Sequence, residues 1–122
     1  MVSEPETGKF WLYDLRVVTV LDGRTAVCNH VEGDSFLVQG ENLVFQSDHR
    51  VSMFALASLL PLLPAKQRDT DNADWMTTDA EVACPDPHCG GRFRIERLDK
   101  RWFSNTETTG LPEYRGTPYW QK

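Results

Sequence analysis

The sequence lacks an uninterrupted apolar run long enough to cross a bilayer. Its longest largely apolar stretch, residues 51–63, contains two serines and Pro61, whereas a transmembrane helix needs about 20 consecutive apolar residues. The first residues also lack the basic start and the apolar core of a secretory signal. We therefore expect a cytoplasmic protein that does not enter membranes.

Cysteine is scarce, and charge of one sign is nowhere concentrated. The three cysteines are an odd number, so they cannot all pair in internal disulfides, and free thiols are the rule in the cytosol. Lys and Arg number 13 against 18 Asp and Glu, for a net charge of −5. Nucleic-acid-binding proteins usually present a basic patch, so we expect no nucleic-acid partner.

Several well-known catalytic motifs are also missing. The sequence contains no glycine-rich phosphate loop, no Gly-x-Ser-x-Gly and no His-Glu-x-x-His. Nucleotide-dependent chemistry, serine hydrolysis and zincin chemistry therefore have no support. The sequence contains no motif that by itself defines a reaction.

The segments that are present indicate one α+β domain. Strand patterns occur at residues 10–21, 24–27, 35–39, 42–45, 81–83 and 92–98. Asp22-Gly23 predicts a tight turn between the first two of them. Residues 51–60 are apolar nearly all round, so we predict one helix buried on most sides. The predicted fold is a small antiparallel sheet of hairpins packed around that single buried helix.

The two ends of the chain differ from this body in composition. Residues 1–9 are polar and predict a flexible N-terminus, while residues 10–98 form the α+β domain. Residues 99–122 have no clear period but contain five large aromatic side chains, which is unlike a disordered tail. We predict a C-terminal strap or lid there, or a contact between copies in a homo-oligomer.

The most informative stretch is Cys84-Pro85-Asp86-Pro87, followed at once by His88 and Cys89. Two prolines restrict the backbone around one carboxylate. A second polar cluster, Cys28, His30 and Asp34, lies far upstream. Because both clusters adjoin predicted strand ends, we predict that His30 and Cys84 converge in one site.

One interpretation of these clusters is a metal centre. The residues with suitable side chains are Cys28, His30, Cys84, His88 and Cys89. Four of them could bind zinc or iron through sulfur and imidazole nitrogen. Neither Cys-x-His nor Cys-x4-Cys is a common zinc-knuckle spacing, however. The alternative is a pair of buried thiols with an exposed His88.

Another interpretation is acid–base catalysis without a cofactor. His30 would be the general acid or base, oriented by Asp34, with His49 or Asp86 as its counterpart. The alternative for Asp34 is a turn former, and the alternative for Asp86 is a carboxylate that accepts hydrogen bonds from its own backbone. Cys84 could also act as a nucleophile if an imidazolium lowers its pKa. The predicted substrate pocket is lined by Phe36, Phe45, Phe54 and Trp75.

The order of these motifs resembles a family of small uncharacterised proteins with a His-x-x-Gly-Asp element and a Cys-Pro-Asp-Pro signature. The matching residues are His30, Gly33, Asp34, Phe36, Ala55, Leu56, Leu59, Pro61, Trp75 and the stretch 84–87. The resemblance covers residues 13–98. It departs from the family at Ser52, where members carry a cysteine. The resemblance supports the predicted fold more than any particular function, since no activity is settled for the family.

Two functions follow from these interpretations. The first is a small enzyme without a cofactor, of lyase, isomerase or cyclase type, acting on an apolar or carboxylated metabolite, as in a biosynthetic pathway. The second is a non-catalytic metal-binding or protein-interaction module that uses the Cys/His clusters. Bound metal distinguishes the two.

Overall fold

The computed structural model describes residues 8–46 and 48–110. The strands are β1 (Lys9–Val20), β2 (Ser35–Gln39), β3 (Asn42–Phe45), β4 (Glu81–Ala83) and β5 (Arg92–Ser104). The helices are α1 (Met53–Leu59), α2 (Leu63–Lys66), α3 (Trp75–Thr78) and α4 (Asn105–Thr109). The strands form one antiparallel sheet in the order β3-β2-β1-β5-β4. The predicted α+β class with an antiparallel sheet is confirmed.

The longest pairing joins β1 to β5 at the centre of the sheet. It runs from Lys9 opposite Ser104 to Val20 opposite Arg92, with a bulge between Tyr13 and Leu15. The β-branched residues at the end of β1 suit this extended, paired conformation. As a result, the C-terminal end of β1 lies beside the first residue of β5, and this register determines which loops meet.

The hydrophobic core lies on one face of the sheet. Leu15 and Val17 of β1 and Phe93 and Ile95 of β5 are at most 4% exposed. These residues alternate along their strands, as expected where one face of a sheet is buried. The same cluster contains side chains from α1 and α2, namely Ala55, Leu59 and Leu63. The short helices therefore close the core over the sheet.

Replacing Leu59 tests this packing. Leu59 is fully buried, so Leu59→Ala leaves a cavity, and we expect it to lower the free energy of unfolding by about 2–5 kcal/mol. Its neighbour Leu60 is 45% exposed, so Leu60→Ala should cost less than about 1 kcal/mol. Urea unfolding of both variants measures the difference. Equal losses would contradict the assignment of Leu59 to the core.

The prediction of one helix buried on most sides is wrong. Only Ala55 and Leu59 of α1 are buried, whereas Met53 and Phe54 are 77% and 71% exposed. The sheet offers one apolar face, and a helix of two turns can bury only one stripe against it. The chain then forms a second short helix, α2, with Pro64 in its first turn, where the missing N–H is tolerated. Among the described residues, no helix is long and apolar enough to cross a membrane.

Two strand predictions are also corrected. Residues 24–27 form no strand; Thr25 O accepts the N–H of Gly90 and Arg24 Nε donates to Gly90 O, so this segment contacts the 84–91 loop. Strand β5 continues beyond residue 98 to Ser104, because Trp102 and Phe103 pair with Trp11 and Phe10. Lys9 already belongs to β1. The structure does not describe residues 1–7 of the predicted flexible N-terminus or residues 111–122 of the predicted strap. The predicted homo-oligomer contact through that strap therefore also lies outside the described residues.

Candidate metal centre

The candidate site lies where two loops meet at one end of the sheet. Residues 21–34 follow β1, and residues 84–91 join β4 to β5. Because Val20 pairs with Arg92, the first loop leaves the sheet beside the point where the second enters it. The predicted convergence of His30 and Cys84 is confirmed, since His30 Nε2 lies 3.4 Å from Cys84 Sγ.

Main-chain contacts hold the two loops together. The N–H of Gly90 donates to Thr25 O at 2.8 Å, and Arg24 Nε donates to Gly90 O at 2.8 Å. A Cβ atom on Gly91 would lie 2.6 Å from His30 Cδ2, closer than any real contact. The absence of a side chain at this position therefore lets the 84–91 loop approach the histidine ring. Phe93 packs against the same ring edge-on, with 5.0 Å between ring centroids.

Four donor atoms form a compact group at this junction. They are Cys28 Sγ, Cys84 Sγ, Cys89 Sγ and a ring nitrogen of His30, and all lie within 4.8 Å of one another. The Cys28 and Cys84 sulfurs are 3.8 Å apart, and His30 Nε2 is 3.4 Å from Cys84 Sγ. Zinc bonds of about 2.3 Å to sulfur and about 2.0–2.1 Å to nitrogen, arranged tetrahedrally, place two sulfurs about 3.8 Å apart and a nitrogen about 3.5 Å from a sulfur. The Cys28–Cys84 and His30–Cys84 spacings agree with that geometry.

Two of the four side chains are held near the protonation state that a metal requires. Desolvation opposes ionisation of Cys89, but main-chain N–H groups of Gly91, Val27 and Cys28 outweigh it and lower the thiol pKa to about 7. Desolvation lowers the pKa of His30, so burial favours its neutral ring. Metals bind thiolate sulfur and neutral imidazole. This environment thus favours the binding forms of both residues.

Cys28 is in a different environment. Desolvation first, and then a 3.4 Å hydrogen bond from its sulfur to Asp86 Oδ2, raise its thiol pKa to about 12. A divalent cation in the group would deprotonate such a thiol, because the positive charge outweighs these effects. Cys28 is also only partly buried, whereas Cys84 and Cys89 are both 7% exposed.

Asp86 has a structural role in the turn that carries two of the cysteines. Its Oδ1 accepts a hydrogen bond from the N–H of His88 at 2.9 Å, and its main-chain oxygen accepts one from the N–H of Cys89. The bond from His88, followed by the one from Cys28, lowers the pKa of Asp86. His88 itself is exposed and does not belong to the group of four donors. Of the five predicted ligands, four therefore converge and His88 does not.

The other predicted catalytic residues do not join this group. His49 Nδ1 accepts a hydrogen bond from the N–H of Ser35, at the start of β2, at 3.1 Å. The main-chain oxygen of Asp34 accepts a bond from the N–H of Thr19 at 2.7 Å, which fixes the entry to the sheet. Neither residue is a member of the four-donor cluster. His30 is hydrogen-bonded to neither Asp34 nor His49, and the predicted catalytic role of the three residues stays a prediction.

The predicted pocket of four aromatic residues is likewise not a single pocket. Phe36 is 3% exposed in the core and stacks on Phe45 at 5.0 Å, while Trp75 is 77% exposed. Phe54 alone lines a cavity of about 500 Å³ beside the cysteines. Its other lining residues are Cys28, Asn29, Ser52, Cys84, Pro85 and Asp86. Ser52 also caps α1, since its hydroxyl accepts the N–H of Phe54.

Comparison of the chain with protein-family models, with curated proteins and with solved structures gave no match. The resemblance to the Cys-Pro-Asp-Pro family stays a prediction.

Sequence reasoning missed the supporting roles of Arg24 and Gly91. The Gly90-Gly91 pair was the available signal, because consecutive glycines often mark a close backbone approach.

Proposed function

We propose that this protein is a zinc-binding module whose ligands are Cys28, His30, Cys84 and Cys89. The observation that carries the proposal is the convergence of four donor atoms within 4.8 Å of one another, two of whose spacings are close to those of a tetrahedral Cys₃His shell. Three thiolates and one imidazole are soft and borderline ligands, and this set suits zinc better than calcium or magnesium. Ferrous iron is the next candidate for the same shell.

The proposed ion has a structural role. Four protein ligands fill a tetrahedral shell, and structural zinc sites are closed in this way, whereas catalytic ones keep a position for water. The ligands come in pairs from the two loops, so a bound ion would cross-link residues 21–34 to residues 84–91. Such a link suits a cytoplasmic domain with three free cysteines.

Metal content with a matched pair of histidine variants tests the proposal. Purified protein should contain one zinc per chain, and His30→Ala should lower the content and the affinity for cobalt(II), a spectroscopic substitute for zinc. His88→Ala should leave both unchanged, because His88 is exposed and outside the cluster. Cobalt bound through three thiolates shows strong sulfur-to-metal absorption, and Cys84→Ser should weaken it. Equal effects of the two histidine variants would contradict the assignment.

The second candidate is a small enzyme without a cofactor that uses acid–base chemistry on an apolar metabolite. One observation favours it: the cavity of about 500 Å³ beside Phe54 has the Asp86 carboxylate on its wall. A hydrogen bond from the N–H of His88 lowers the pKa of that carboxyl, which keeps it in the ionised form that a general base needs but makes it a weak base. Three findings together would favour this candidate. The purified protein is folded, it binds no metal, and small apolar molecules stabilise it only while Asp86 is intact.

A further inference from the structure

Two of the proposed zinc ligands face the same cavity. The sulfurs of Cys28 and Cys84 are 3.8 Å apart, and both residues line the 500 Å³ cavity beside Phe54. Cys28 is partly exposed, so a small solute in the cavity can reach its sulfur. A disulfide needs the two sulfurs about 2.05 Å apart, so the pair is within a side-chain movement of that distance.

We propose that Cys28 and Cys84 form a reversible oxidation site, in which a small peroxide converts the two thiols to a disulfide and releases the metal. The inference rests on the proposed zinc site for the release step only. Disulfide formation needs no metal: it rests on the 3.8 Å spacing of the two sulfurs and on the Asp86 carboxylate beside Cys28. The two sulfurs cannot bond to each other and also serve as two thiolate ligands, so oxidation leaves the ion with His30 and Cys89 alone.

The chemistry occurs in two balanced steps. The Cys28 thiol gives its proton to the Asp86 carboxylate, whose Oδ2 lies 3.4 Å from its sulfur, while the sulfur attacks hydrogen peroxide. The O–O bond breaks, the leaving hydroxide takes the proton, and sulfenic acid and water are produced. The Cys84 thiol then attacks the Cys28 sulfur, the S–O bond breaks, and the proton of the thiol leaves with the hydroxyl group as water. In total, one peroxide is reduced to two waters when the two thiols become one disulfide. A soluble thiol reverses the reaction by disulfide exchange.

The structure favours this pair over one that includes Cys89. Cys84 and Cys89 are equally buried, but Cys89 does not line the cavity, and its sulfur accepts a hydrogen bond from the N–H of Gly91 at 3.4 Å. Cys28, by contrast, lies in a loop without regular secondary structure, next to Asn29 with its positive φ of 59°. Such a segment can shift more easily than a strand-flanked turn. Cys89 should therefore remain a free thiol.

The experiment treats zinc-loaded and zinc-stripped protein with a small excess of hydrogen peroxide. Released zinc is measured with a coloured chelator, free thiols are counted, and the disulfide is mapped by mass spectrometry. Trypsin leaves Cys28 in one peptide and the other two cysteines in a second, because cleavage sites flank both. Acid cleavage of the Asp86–Pro87 bond then separates Cys84 from Cys89. We expect two of three thiols to be lost, one zinc released per disulfide, and full recovery with dithiothreitol.

Variants make the assignment specific. Cys89→Ser keeps the proposed pair and should still lose both remaining thiols to one intramolecular disulfide in the zinc-stripped state, whereas Cys28→Ser should form no intramolecular disulfide. A Cys84–Cys89 disulfide, a bond between two chains, or irreversible oxidation of Cys28 alone would overturn the inference. If the protein binds no zinc, the proposed function and the release step fail together, while the zinc-stripped map still decides the Cys28–Cys84 pairing.

Discussion

Removing zinc with a chelator should lower the midpoint of thermal unfolding by on the order of 10 °C. A ligand that binds only the folded state stabilises it by about 4 kcal/mol when its free concentration is a thousand times its Kd. For a chain of 122 residues, such a loss shifts the midpoint by several degrees per kcal/mol. Differential scanning fluorimetry with and without the chelator, at fixed protein concentration, measures the shift.

The cause of that shift is the link between the two loops. Without an ion, the junction retains the hydrogen bonds of Gly90 with Thr25 and Arg24, so we expect a destabilised but folded domain. Cys84→Ser is the control, because its midpoint should already be low and should not respond to the chelator. A wild-type midpoint that the chelator leaves unchanged would argue against a structural ion.

Gly91→Ala should weaken zinc binding by on the order of 10–100-fold, the range found when groups that orient a ligand are altered. The new methyl carbon would lie 2.6 Å from His30 Cδ2 and 3.4 Å from Cys89 Sγ, so the imidazole must turn or the loops must separate. Either movement displaces His30 Nε2 from its position 3.4 Å from Cys84 Sγ. Competition with a chromophoric chelator of known affinity measures the change.

Gly33→Ala is the matched control for Gly91→Ala. Gly33 lies in the same loop as His30, and a Cβ there would meet nothing within 4 Å. Its φ of +87° is unfavourable for alanine, so the variant should lose about 1–2 kcal/mol of stability, while its zinc affinity should stay within about threefold of wild type. If both variants lose zinc affinity equally, strain in the loop and not contact with His30 determines the affinity.

Local patterns in the sequence were sufficient for much of the sheet. The alternation in β5 and the turn between β2 and β3 depend on neighbouring residues, so strands at 35–39, 42–45, 81–83 and 92–98 were predictable and agree with the structure apart from the extension of β5 to Ser104. The extent of β5 depends on aromatic partners in β1, about ninety positions earlier. Such pairing depends on the tertiary register and leaves no local period in the sequence.

Helix burial shows the same limit. The composition of residues 51–60 indicated a helix surrounded by protein, but the sheet covers only the side that carries Ala55 and Leu59. The exposure of a helix depends on the elements that pack against it, and the sequence of the helix alone does not determine which elements those are. The exposed Phe54 consequently became part of a cavity wall beside the cysteines.

The sequence alone determined the set of chemical groups: three thiols and two imidazoles in two short clusters, one of them fixed by prolines around Asp86. Only the tertiary structure decided which of them lie together. The pairing of Val20 with Arg92 brings Cys28 and His30 to Cys84 and Cys89, and leaves His88 and His49 outside. The physical reason is that a ligand shell requires distances of a few ångströms between side chains from distant segments, and strand register, which local sequence does not encode, sets those distances.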